Sequence, residues 1–254
     1  MIESVNSLAA LRRRIALLEG MPMASAARRA AIGHASLDQA LDGGLRCGRL
    51  HELFGEAEDA GAAAGLALGF ARLLAGDGPL LWLRTAAAQR AGGGIYGPGL
   101  AALGMAPDRL LIGLMADEQM LLRAAVDALR CPALGALLVE LRGRAPLLDL
   151  TASRRLALAA ERSGVTALLL RIDAEPTPGA ADTRWRIAAA PSRPLPGNAP
   201  GDSAFDLSLI RQRAGPDGLC WRLVWNSEAG RFEEGRDARI ETDRPAPALQ
   251  GVRS

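Results

Sequence analysis

The sequence predicts an α/β fold: a three-layer sandwich on a mostly parallel central sheet, with a helix ahead of it and antiparallel strands after it. Three observations predict this. Strand-length apolar runs alternate with helical patterns from residue 50 to residue 172, the rhythm of a parallel sheet covered by helices. The run Leu50-His51-Glu52-Leu53-Phe54-Gly55 ends in a glycine and leads through a small, acidic loop into an Ala/Leu helix over 65–74. Near the other end, Phe205 to Arg213 and Leu219 to Asn226 alternate around Ala214-Gly215-Pro216-Asp217-Gly218, which predicts a hairpin.

In chain order, residues 5–19 form an amphipathic pattern in which Leu8, Leu11, Ile15 and Leu18 recur at helical spacing. Such a helix either packs on its own domain or docks on a partner, and these four leucine and isoleucine positions are the candidate partner-binding residues. Residues 20–33 read as a linker. Gly43-Gly44 suits a tight turn with positive φ. Pro79 to Leu83 is a strand, and Arg84 to Tyr96 is expected to be a loop. Leu100 to Met105 is a short helix and Arg109 to Gly113 a strand. Asp117 caps a helix to Arg130, whose inner face is expected at Leu122, Val126 and Leu129. Leu134 to Glu140 is the central strand. A helix over 151–163, turned inward at Leu156, Ala159 and Ala160, precedes the strand Thr166 to Ile172. Residues 173–182 and 191–202 are Pro- or Gly-rich loops around a strand at 184–190. Trp221 and Trp225 share a face with Leu223 and are expected to pack the core rather than to stack on bases. The chain divides into an N-terminal helix and linker (1–33), a core (34–241) and a disordered tail (242–254).

Composition narrows the function. The 254 residues are 49% apolar but only 4% aromatic, so the core is expected to be mainly aliphatic. The net charge of +2 argues against a dedicated nucleic-acid domain. All 30 basic residues are arginine. Cys47, Cys131 and Cys220 are scattered and only His34 and His51 could assist them, so no metal site is expected, and free thiols fit a reducing cytoplasm. No window is long and apolar enough for a membrane span.

The strand–turn–helix at 50–74 has the layout of a phosphate-binding P-loop. In such a loop backbone N–H groups and a helix N-terminus face the phosphates, a lysine reaches them, and a Ser/Thr hydroxyl holds magnesium. Here the glycines Gly55 and Gly61 stand one residue too far apart, and Ala62 and Ala63 occupy the lysine and hydroxyl positions. Glu56, Glu58 and Asp59 would repel a nucleotide. Glu140 ends the central strand where a magnesium-serving carboxylate belongs, and is expected instead to pair with Arg142 or Arg144. These five positions (Gly55, Gly61, Ala62, Ala63 and Glu140) outline a degenerate nucleotide site. The expectation is no ATP hydrolysis and no cofactor, ATP included.

The ordered run Ser36-Leu37-Asp38-Gln39-Ala40-Leu41-Asp42-Gly43-Gly44-Leu45-Arg46-Cys47-Gly48-Arg49, continuing into Leu50–Gly55, resembles the start of a RecA-type core. Over about residues 36–240 the chain is identified as a member of the ImuA family, RecA-like proteins encoded beside the polymerase homologue ImuB and an error-prone replicative-type polymerase. The resemblance implies a RecA-like sandwich and a role as accessory protein in damage-induced (SOS) mutagenic translesion synthesis. It implies RecA and ImuB as partners, with the error-prone polymerase reached indirectly and single-stranded DNA bound weakly at most. The region after Glu140 is too short for a recombinase DNA loop. A likeness of the family to the SulA division inhibitor supplies the alternative reading, as does a weak DNA- or nucleotide-binding RecA paralogue.

Overall fold

Apolar runs without alternation must be covered on both faces. Such runs build the centre of the molecule. In the computed structural model, which describes residues 28–195, 197 and 201–235, every residue of β3 (Leu50–Gly55) and β7 (Thr166–Ile172) is buried. They belong to a 9-stranded sheet of order β11-β10-β9-β8-β3-β7-β6-β4-β5. Its other strands are β4 (Leu80–Thr85), β5 (Leu110–Met115), β6 (Ala136–Arg142), β8 (Thr183–Ala190), β9 (Ala204–Gln212), β10 (Cys220–Asn226) and β11 (Arg231–Glu234). From β8 to β5 neighbours run parallel; β9, β10 and β11 add on antiparallel.

Helices cover both faces. On one side α2 (Ala60–Ala75) buries Leu66, Phe70 and Leu74 against the middle of the sheet. On the other, α5 (Glu118–Ala128) and α6 (Leu150–Ser163) close a second apolar layer with Leu137, Val139, Ala167 and Leu169. Three short helices, α1 (Ala35–Ala40), α3 (Ala86–Gly92) and α4 (Gly97–Ala102), fill the connections. The result is a RecA-like α/β sandwich, as the sequence predicts.

Several expectations need correction. The stretch after β4 is not all loop: Thr85 accepts a hydrogen bond from Ala88 N at 3.0 Å and starts α3 through a run of alanines, the best helix formers. Asp117 does cap α5, but the buried stripe is Leu121, Ala125 and Leu129; Leu122 and Val126 lie only half-buried beside it. In α6, Leu156 and Ala160 are buried and Ala159 is half-buried. The end of the stretch read as linker reaches the core, since β1 (Arg29–Ala30) pairs with β2 (Leu45–Arg46) and Ile32 is fully enclosed. β11 was hidden from the sequence by its brevity.

The core is mainly aliphatic, as composition predicts, with its aromatic residues concentrated on one side. Phe70, Trp185, Trp221, Phe205, Trp225 and Phe232 stack edge-to-face or tilted over the β8–β11 half, with Trp225 and Phe232 at 4.8 Å between ring centres. A side chain on Gly69 would strike the Phe232 ring at 2.6 Å, so α2 lies against the aromatics only because that position is glycine. Trp221 and Trp225 are core residues, as expected.

Candidate functional site

A strand that ends in glycine lets the following helix swing back over it. A Cβ on Gly55 would stand 2.7 Å from the Ala63 methyl, so the first turns of α2 rest directly on the end of β3. The four residues between them close on themselves: Asp59 N donates to Glu56 O at 3.1 Å and Ala60 N to Ala57 O at 3.4 Å. Two of the loop's three acidic side chains are tied sideways to β8. Glu56 pairs with Arg186 at 2.9 Å, and Asp59 accepts from Ala189 N at 2.8 Å. The repulsion expected from these carboxylates is therefore partly answered inside the protein.

Beside the loop lies an open cleft of about 510 Å³, lined by Gly61, Trp82, Arg84, Glu140 and Arg142 among others. Of the five positions singled out in the sequence, the fold brings Gly61 and Glu140 to this cleft. Gly55 and Ala63 are packed behind it, and Ala62 lies half-buried outside the cleft lining.

The residue that sequence reasoning missed is Arg84. It stands one residue before the end of β4, directly opposite Glu140 of β6 in the parallel register. Both are 3% exposed. Arg84 Nη2 donates to Glu140 Oε1 at 3.1 Å, and its Nε lies 2.8 Å from Oε2, off the ideal N–H···O line. The remaining donors reach Gly93 O at 3.0 Å and Ala88 O at 3.4 Å, and the guanidinium lies over the Trp82 ring at 4.8 Å. Arg142 adds a longer contact to Glu140 at 3.5 Å. The carboxylate that would serve a metal ion is thus engaged by arginine, chiefly Arg84 rather than Arg142, and Arg144 is not among its partners. The available signal was two apolar runs ending in opposite charges.

The opposite face of the sheet holds a second polar group. Glu52 of β3 pairs with Arg184 of β8 at 2.7 Å, and Arg171 of β7 stands beside them over the Phe54 ring. Burial pushes the Glu52 carboxyl up, against the pull of Arg184 and then Arg171. Burial likewise pushes the Arg171 guanidinium down.

Near the start of these strands, His51 is fully enclosed. It lies 2.9 Å from Arg46 O and 2.8 Å from Thr183 Oγ1, which in turn accepts from Trp185 Nε1 at 2.6 Å. The carbonyl can only accept, so His51 Nε2 carries the proton and Nδ1 takes the threonine hydroxyl's. Burial pushes the His51 pKa down, which keeps the ring neutral. This chain of donors fixes the β2 segment to the core. Among the described residues no three His, Cys, Asp or Glu side chains are grouped to hold a metal ion.

No family model matches the chain. Two curated relatives do, both named Protein ImuA, from Caulobacter vibrioides strain NA1000 / CB15N and from strain ATCC 19089 / CIP 103742 / CB 15. Each is 33% identical over 203 residues, covering 73% of this chain and 79% of the relative. The chain belongs to the ImuA family. The expectation carried by Ser36–Gly55 is met at the level of family and fold. For this ImuA-family chain the candidate partner-binding positions Leu8, Leu11, Ile15 and Leu18, and the tail at 242–254, lie outside the described residues. Among the described residues no helix is long and apolar enough to cross a membrane.

Proposed function

We propose that this ImuA-family protein is a non-catalytic adaptor in damage-induced, error-prone translesion DNA synthesis, linking RecA to the polymerase-like ImuB and, through it, to an error-prone polymerase. The observation that carries the non-catalytic half is the buried Arg84–Glu140 pair. A magnesium–nucleotide complex at this cleft would need Glu140 released, leaving Arg84 buried without its partner, and breaking such a pair is costly. The absence of lysine and the alanines at positions 62 and 63 support the same reading. So does the connection from β6 to α6, too short to form a long DNA-binding loop. A RecA-like body without a working nucleotide site can keep a surface complementary to RecA while taking no part in ATP-driven cycling.

Co-purification with RecA and with ImuB, each with and without single-stranded DNA and a non-hydrolysable nucleotide, tests this. Nucleotide-independent capture of both partners is the expected result. ATP turnover by the purified protein that disappears in Glu140→Gln would overturn the non-catalytic reading. Failure to capture either partner, with capture of the division tubulin instead, would replace the adaptor with the division-inhibitor reading.

A further inference from the structure

Past the carboxyl ends of β6 and β7, on the α5/α6 side, lies an open cavity of about 650 Å³. Its walls are largely apolar, with Pro146, Leu148 and Pro178 prominent. Arg171 also lines it. That arginine is 3% exposed, yet among the described residues its side chain makes no hydrogen bond and no ion pair, and its Nε is wholly enclosed without a partner. The neighbouring carboxylates are engaged elsewhere. Glu52 is held by Arg184 at 2.7 Å, and Glu118 accepts from Leu147 N at 3.0 Å and Leu148 N at 3.1 Å. The Phe54 ring lies 6.0 Å from the guanidinium carbon, and Glu52 and Glu118 pull on the charge only from beyond ion-pair contact.

A buried cation without a direct ion pair or hydrogen bond among the described residues is a costly arrangement in a protein interior, and buried charges are as a rule paired. An anion supplied from outside would pair it. The surroundings choose among anions. Exposed Asp149, Asp173 and Glu175 stand around the cavity with Arg144 as the one exposed cation, a balance that repels a chain of phosphates. Apolar walls around a single cation fit a single negative charge flanked by aliphatic groups. We propose that this cavity receives the carboxylate of an Asp or Glu side chain on a segment of a partner protein, flanked by apolar residues, with Arg171 as the recognising group. The inference deepens the adaptor reading and rests on it only for the kind of partner; its test involves neither RecA nor ImuB.

The test titrates the full-length protein with N-acetyl-Leu-Asp-Leu amide and with its asparagine counterpart, following the ¹⁵N–¹H resonance of Arg171 Nε. The aspartate peptide is expected to shift that resonance and to bind roughly tenfold or more tightly than the asparagine peptide, the scale of a charge-assisted hydrogen bond. Arg171→Lys should keep part of the preference and Arg171→Met should lose it. The comparison of the two peptides on the unaltered protein needs no variant to fold. Equal binding of both peptides overturns the proposal, as does binding of neither at millimolar concentration. Binding of a short oligothymidylate that shifts the Arg171 resonance while the peptides do not would assign the cavity to nucleic acid instead.

Discussion

Arg84 and Arg171 are equally buried in one sheet, on opposite faces, and their surroundings differ in kind. Arg84 is engaged by a carboxylate across the register, two carbonyls and an indole face, and only its Nε, in ion-pair contact with Glu140, lacks an aligned hydrogen bond. Arg171 has an aromatic ring and a cavity. The first arrangement is closed and occupies the place where the fold would otherwise present a nucleotide-serving carboxylate. The second has no ion pair or hydrogen bond among the described residues. Burial alone therefore does not mark a functional charge; what separates the two is whether the described residues supply a counter-charge in direct contact.

The largest test of this contrast turns the first arginine into the second. Glu140→Ala leaves Arg84 enclosed without its anion, and should cost about 3–5 kcal/mol of stability, read from the urea midpoint. Arg171→Met works in the other direction. It removes a buried cation that makes no ion pair among the described residues and leaves Glu52 with Arg184, so stability should rise by about 1 kcal/mol, seen as a higher Tm.

A titration gives a smaller, pH-tuned effect. Because burial holds the folded-state pKa of His51 below its ordinary value of 6.5, the unfolded chain binds a proton more readily. The ring's contribution is complete above that value and is lost as pH falls below it. The stability difference between the unaltered protein and His51→Gln should shrink as pH falls from 7 toward 5. Glu52 works with the opposite sign, since its raised pKa makes the folded state the better proton binder, and subtracting the variant's profile removes that contribution. The smallest effect is the control. Asp127 and Arg130 form an exposed pair at 2.9 Å on the last turn of α5, and Asp127→Asn should change stability by less than about 0.5 kcal/mol.

Most of the fold could be read directly from the chain because the central strands are continuous apolar runs and the helices between them carry caps. Thr166 to Ile172 is a strand in both descriptions, and Asp117 caps the helix it was expected to cap. Where local rules fell short, the deciding contacts are distant in sequence. The α5 stripe is set by the sheet it faces, so Leu121 and Ala125 turn inward beside the larger apolar residues. Phe232 looks isolated in sequence, yet it packs against Phe70, Phe205 and Trp225, brought together by α2, β9 and β10. In the candidate site, the defects of the loop were visible as missing side-chain types. The partner that occupies Glu140 was not, because Arg84 and Glu140 meet only through the register of β4 and β6.

The place of β3 in the sheet has a consequence for how the molecule is made. It pairs with β7 on one side and β8 on the other, both encoded far downstream, whereas β9, β10 and β11 each pair with the strand just before them. On a translating ribosome β3 emerges early and then waits on the order of ten seconds, at usual elongation rates, for both neighbours. During that interval its apolar residues and both hydrogen-bonding edges are unclaimed, so β3 is the segment most in need of shelter while the chain is still growing.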